Sequence, residues 1–186
     1  MNENNQKYLL IVGLIFTIAL SRLLPHPWNF TPVTALFIFA GSFARKKMVN
    51  FLIPFSAVLL SDFLVNYFIY KTAGFTFFYP GAWMVYLAYL VIFLFNHTIH
   101  TVSYPGIAAK SLISSIIFFL ITNFAAWYAS PMYAQNFGGL MTSYTAGLPF
   151  FGNGILGDLF YSFILVAAYN MLYRSLLQRA EIRSQR

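Results

Sequence analysis

The chain has 186 residues, 60% of them hydrophobic and 8% charged, with a net charge of +7 and no cysteine. A soluble domain carries about 25% charged residues, so this chain has too few to cover its surface, and the composition predicts one integral membrane domain over 1–186. Missing cysteine excludes disulfides, thiolate zinc sites and cysteine nucleophiles.

The sequence predicts an all-α bundle of six membrane-spanning helices. Barrel-type alternation is absent, and lipid tolerates no unpaired backbone. The first apolar segment is 8–24. Ala19 and Ser21 in "IALSR" also fit a small-x-small cleavage pattern, an alternative that leaves five spans and an outside N-terminus. The second segment, 32–44, has Thr31 as a candidate N-cap and Pro32 at its first helical position. It is short against the ~20 residues a span needs, so it starts earlier or is sheltered by neighbours. The third segment is 51–70, with Pro54 in its first turn, where a missing donor matters least. The fourth is 80–95, the fifth 106–128 and the sixth 154–173. Beyond it, "RSLLQRAEIRSQR" reads as a basic amphipathic end lying on the lipid surface.

Charge placement sets the expected orientation. A cytoplasmic N-terminus puts Lys7, Arg45, Lys46, Lys47, Lys110, Arg174, Arg179, Arg183 and Arg186 inside, and only Arg22 and Lys71 outside. That is a strong positive-inside bias, and an even number of spans puts both termini in the cytoplasm of a cell-membrane protein. Basic clusters placed this way read as topology and not as a nucleic-acid face.

Under this topology several polar groups fall in the outer half of the membrane. Asp62 lies about eight residues in, or ~12 Å, with Asn66 on the same face at i+4. Asn123 lies about five residues below the outer end of its helix, with Trp127 above it. Asp158 lies four or five residues in from the start of the sixth helix. A carboxylate facing lipid costs about 2.5–3.5 kcal/mol near a helix centre, so these groups are expected to turn inward around a pocket open to the outside. The outer connections "RLLPHPWNFTP", "KTAGFTFFYPG" and "SPMYAQNFGGLMTSYTAGLPFFGN" are long and aromatic, suited to small-molecule contact, and glycines in the third would permit lid motion. The competing expectation is a structural hydrogen-bond or ion-pair role for the carboxylates, with Arg22 as a candidate partner, and an interfacial belt role for each single Trp or Tyr. His97 and His100 share a helical face at the inner end but lack a nearby carboxylate, which argues against a metal there.

Two intramembrane aspartates raise the possibility of an aspartyl protease, but Ser61-Asp62 and Gly154-Ile155-Leu156-Gly157-Asp158 both miss the motifs of that family. Nucleotide-binding, zincin and nucleophile-elbow motifs are absent as well. The expectation is a protein that is not an enzyme and needs no cofactor.

Four motifs in order, "RLLPHPWNFTPVTALFIFAG", "LLSDFLVN", "LITNFAAW" and "LPFFGNGILGDLFYS", resemble an uncharacterised bacterial family of transport-type proteins similar to the S components of energy-coupling-factor (ECF) transporters. The resemblance covers about residues 8–173. It implies six helices, a vitamin-sized ligand bound from outside, and an ECF-type coupling subunit with ATPases as partner. It points to Arg22, His26, Asn29, Asp62, Asn123 and Asp158 as motif positions, to which residue spacing adds Asn66 and Trp127. The Ala-x-x-x-Ala docking face of such proteins has no clear counterpart; the nearest small stripe is Gly13, Thr17 and Ser21. Thiamine-, corrinoid- and nucleobase-like solutes all suit the aromatic loops. The alternative function is a structural or assembly protein whose buried polar groups lock helices together.

Overall fold

A computed structural model describes residues 3–43, 48–70, 81–99 and 102–184. The Arg45–Lys47 cluster, Lys71, the connection 71–80, His100 and Arg186 lie outside the described residues. Six α-helices follow in chain order: α1 (Glu3–Leu20), α2 (Val33–Phe43), α3 (Leu52–Val65), α4 (Ala82–Thr98), α5 (Tyr104–Ala129) and α6 (Phe137–Ser184). A 3-10 turn, Ser21–Leu23, extends α1; another, Met48–Phe51, leads into α3; and a π turn, Asn66–Tyr70, extends α3. No strand occurs among the described residues.

Four of these helical stretches are long and apolar enough to cross a membrane: Asn5–Leu23, Leu52–Ile69, Tyr104–Ala129 and Phe137–Leu176. They mark the chain as a membrane protein. The two shorter apolar helices are α2 and α4.

The helices alternate in direction. Tyr8 donates to Asn50 Oδ1 (3.2 Å), and Lys7 lies over the Tyr173 ring (5.3 Å), so the starts of α1 and α3 meet the late part of α6. At the opposite end Arg22 pairs with Asp62, and Gly81 abuts Ala129. The segment weighed as a cleavable leader is a packed member of this bundle: Ile11, Ile15 and Ala19 of α1 belong to its core.

The short helix α2 is central. Every residue from Val33 to Ser42 is buried. A helix apolar all round belongs inside a larger assembly, and α2 is wrapped by the other five helices. Its 11 residues rise only ~16 Å, about half of a ~30 Å hydrocarbon core. It starts one residue later than expected, with the Pro32 carbonyl accepting from the Leu36 amide (3.0 Å). Gly41 lets it press on α4: a Cβ there would lie 2.7 Å from the Phe93 carbonyl oxygen.

The largest departure from expectation is α6. Residues 137–153, expected within the third outer connection, form the first turns of a 48-residue helix. Asn136 caps it by accepting from the Gly139 amide (2.9 Å). Gly139 and Gly147 lie within this helix and admit close neighbours. A Cβ on Gly147 would lie 2.3 Å from Asn123 Oδ1, and one on Gly139 would lie 1.9 Å from the Ala134 carbonyl oxygen. Ser143 and Tyr144 fasten this stretch to α5 by donating to the carbonyls of Asn123 (2.7 Å) and Leu120 (3.0 Å).

Candidate functional site

Because α2 stops halfway, space remains above its start. That space is a cavity of about 360 Å³, bounded by the start of α2, by α4, α5 and α6, and by the Arg22–Thr31 connection. Four of the residues singled out in the sequence reach its wall: Arg22, Asn29, Asn123 and Asp158. The connection is shaped for this. Asn29 takes the left-handed conformation (φ 61°), which Asn tolerates better than most side chains. The connection then lies directly against α6 at Gly157, where a Cβ would meet Phe30 Cα and the Thr31 nitrogen at 3.1 Å. That close approach brings the first turn of α2 beside Asp158.

Asp158 is 5% exposed. Ser115 on α5 donates to its Oδ2 (2.6 Å), and Thr34 in the first turn of α2 makes a second side-chain hydrogen bond. Among the described residues no cation pairs with it. The carboxylate also faces the positive end of the α2 dipole, where an anion gains about 0.3–1 kcal/mol, and up to ~2 when partly buried. Pairing with Ser115 places it near the middle of α5, deeper than the six to eight ångströms implied by a helix starting at Gly154.

Asp62 occupies a different place. It lies at the Arg22 end and forms an ion pair with that arginine, whose guanidinium also donates to Ser61 Oγ (2.7 Å). It does not line the cavity; Arg22 stands between. The structural role weighed for the carboxylates therefore falls to Asp62. Asn66 donates to the Asp62 carbonyl (2.8 Å), an intrahelical contact away from the cavity. Trp127 donates to the Ala134 carbonyl (2.9 Å) and fixes the α5–α6 connection. His26 is exposed, with its ring nitrogen beside the Pro27 carbonyl (3.0 Å).

Much of the remaining wall is aromatic. Tyr89 and Phe118 stack at 5.3 Å, and Phe119 and Phe151 lie 4.5 Å apart. Thr31, Thr34, Ser115 and Thr122 add to the polar lining, and the last three are not among the residues singled out in the sequence. The spacing of Ser111, Ser114 and Ser115 was a usable signal, since i, i+3 and i+4 share one helical face.

Lys110, counted from sequence among the cytoplasmic-side charges, is buried (2% exposed). Its ammonium donates to Ser42 Oγ (2.8 Å) and the Ile99 carbonyl (3.1 Å). A cation thus closes the negative end of α2 while a carboxylate faces the positive end. Among the described residues no group of three or more His, Asp or Glu converges to hold a metal.

A model of a protein family matches residues 2–180. The chain belongs to this family of unknown function, DUF6580. No curated protein and no solved structure matches the chain.

Proposed function

We propose that this DUF6580 protein is a substrate-binding protein of the cell membrane, similar to an ECF S component, that captures a small polar solute from the extracytoplasmic side for uptake. The observation that carries the reading is the cavity. It is a chamber of about 360 Å³ inside an apolar bundle, lined both by Arg22, Asn123 and Asp158 and by the rings of Tyr89, Phe118, Phe119 and Phe151. Ligand sites typically measure about 300–1,000 Å³ and combine apolar walls with a few convergent polar groups. The volume suits a nucleobase- or thiamine-sized ring and is too small for a corrinoid. Aromatic faces hold a planar ring, and amide and carboxylate groups satisfy its edge.

Gly13 and Thr17 on α1 point away from the bundle, and a Cβ on Gly13 would meet nothing within 4 Å. That leaves an open face of small residues for a coupling subunit of the kind the resemblance implies. Locking helices does not require a void, so the cavity favours capture over a purely structural role.

Two glycines of α6 supply the test. A Cβ on Gly154 or on Gly152 would touch nothing within 4 Å, but Gly154 lines the cavity and Gly152 is on the exposed face. Gly154→Leu is expected to fill the chamber and Gly152→Leu to leave it open. Either change favours the helix by about 0.5–1 kcal/mol, so neither should unfold the protein. Native mass spectrometry of the detergent-purified full chain should find a small molecule retained by wild type and Gly152→Leu and lost from Gly154→Leu. Equal ligand content in all three would overturn the proposal.

A further inference from the structure

The floor of the cavity continues into a second polar cluster. Ser115 and Asp158 meet across the antiparallel pair α5–α6. One turn deeper on each helix stand Ser111, at i−4 from Ser115, and Ser162, at i+4 from Asp158. The register that joins the first two residues brings the second two to the same interface. Ser111 is 0% exposed and Ser162 is 2% exposed. Among the described residues the hydroxyl oxygen of each has no hydrogen-bond partner. Buried polar atoms are nearly always paired in a folded protein, and an orphan calls for an unseen water or ion. Here two orphans stand together beside a buried carboxylate that lacks a cation.

We infer that Asp158, Ser115, Ser111 and Ser162 form a binding site for one dehydrated sodium ion beneath the cavity. The donors are all hard oxygens, the class that alkali and alkaline-earth cations prefer over transition metals. Charge selects within that class. One carboxylate and one monovalent ion leave the site neutral, whereas a divalent ion would leave a net charge in a low-dielectric interior. Depth agrees, because the cluster lies near the middle of α5, where intramembrane ion sites occur. The Ser111 carbonyl, 2.9 Å from the Ser115 hydroxyl, is a further oxygen in the same turn. With sodium present, Asp158 offers the cavity a neutralised floor; without it, the floor is anionic. The inference stands on the hydroxyls and the carboxylate, and does not depend on a solute binding above them.

The test uses the full chain purified in detergent, with sodium chloride compared with choline chloride at equal ionic strength. Wild type should bind radiolabelled sodium saturably in a scintillation proximity assay, and its thermal midpoint should rise with sodium and not with choline. Ser111→Ala/Ser162→Ala removes two orphan hydroxyls, a change that leaves stability near neutral, and should lose at least about tenfold in sodium affinity. Asp158→Asn should abolish the sodium response while the protein remains folded. Gly154→Leu should keep the sodium response, which separates this site from the chamber above it. A wild-type midpoint equal in sodium and choline would overturn the inference. So would an unchanged sodium affinity in the double alanine variant, which would mean the hydroxyls hold water.

Discussion

Asp62 and Asp158 look alike in the sequence, each a lone carboxylate in an apolar helix, but the structure gives them opposite surroundings. Asp62 meets a guanidinium at one end of the bundle, with a serine beside it. Asp158 sits near mid-height among hydroxyls, beside a cavity and the start of α2. The first has its charge balanced within the chain and works as a clasp between the 3-10 turn after α1 and the end of α3. The second has hydrogen bonds from Ser115 and Thr34 but no paired cation among the described residues. Burying a carboxylate that way is costly, and a ligand or ion that completes it offsets the cost.

The comparison predicts different responses to neutralisation. Arg22→Ala should have the largest effect, because it strands Asp62 in a partly buried position. A loss of about 2 kcal/mol is expected, below the 3–5 kcal/mol of a fully buried pair. Thermal unfolding in micelles would read it. The Arg22→Ala/Asp62→Ala double variant should lose less than the two single variants added together. Asp158→Asn should shift stability in sodium-free buffer by less than about 1 kcal/mol, or raise it, since an amide of the same shape buries no charge. A large loss there would make Asp158 a clasp like Asp62 and erase the distinction. Ser61→Ala should cost about 1 kcal/mol, the loss of one hydrogen bond to Arg22, and should leave sodium and solute binding unchanged.

Much of the bundle was legible because hydrophobic runs bounded by polar residues translate directly into helices in lipid. The start of α6 was not. Gly138, Gly139, Gly147 and Pro149 are turn formers in water, and their density reads as loop. In the bundle the same glycines admit a neighbour, Asn123 at Gly147 and Ala134 at Gly139. The one local signal for a helix start was Asn136 three residues before Gly139, a capping spacing. At the site, Arg22, Asn123 and Asp158 could be named because polar residues in apolar segments stand out, and Asn29 only because the resemblance pointed to it. Thr34 and Ser162 could not, since single hydroxyls are common in membrane helices; the spacing of Ser111 and Ser115 marks one face of α5, but only packing against α2 and α6 shows what that face meets. Lys110 shows the same limit: its position in the sequence gives the end of the bundle, whereas its burial against Ser42 follows only from the packing of α5 on α2.

The Gly41 contact has a consequence for movement through the bundle. It fastens α2 to α4, as Gly147 fastens α6 to α5. Between these two rigid couples run bonds from Asp158 to Thr34, from Asn96 to Ser114 (3.0 Å) and from Lys110 to Ser42. All of them are side-chain hydrogen bonds, which water can replace one at a time. If the couples rocked apart, the ladder would unzip into a wetted slit leading downward from the chamber, while each glycine-sealed couple stayed whole.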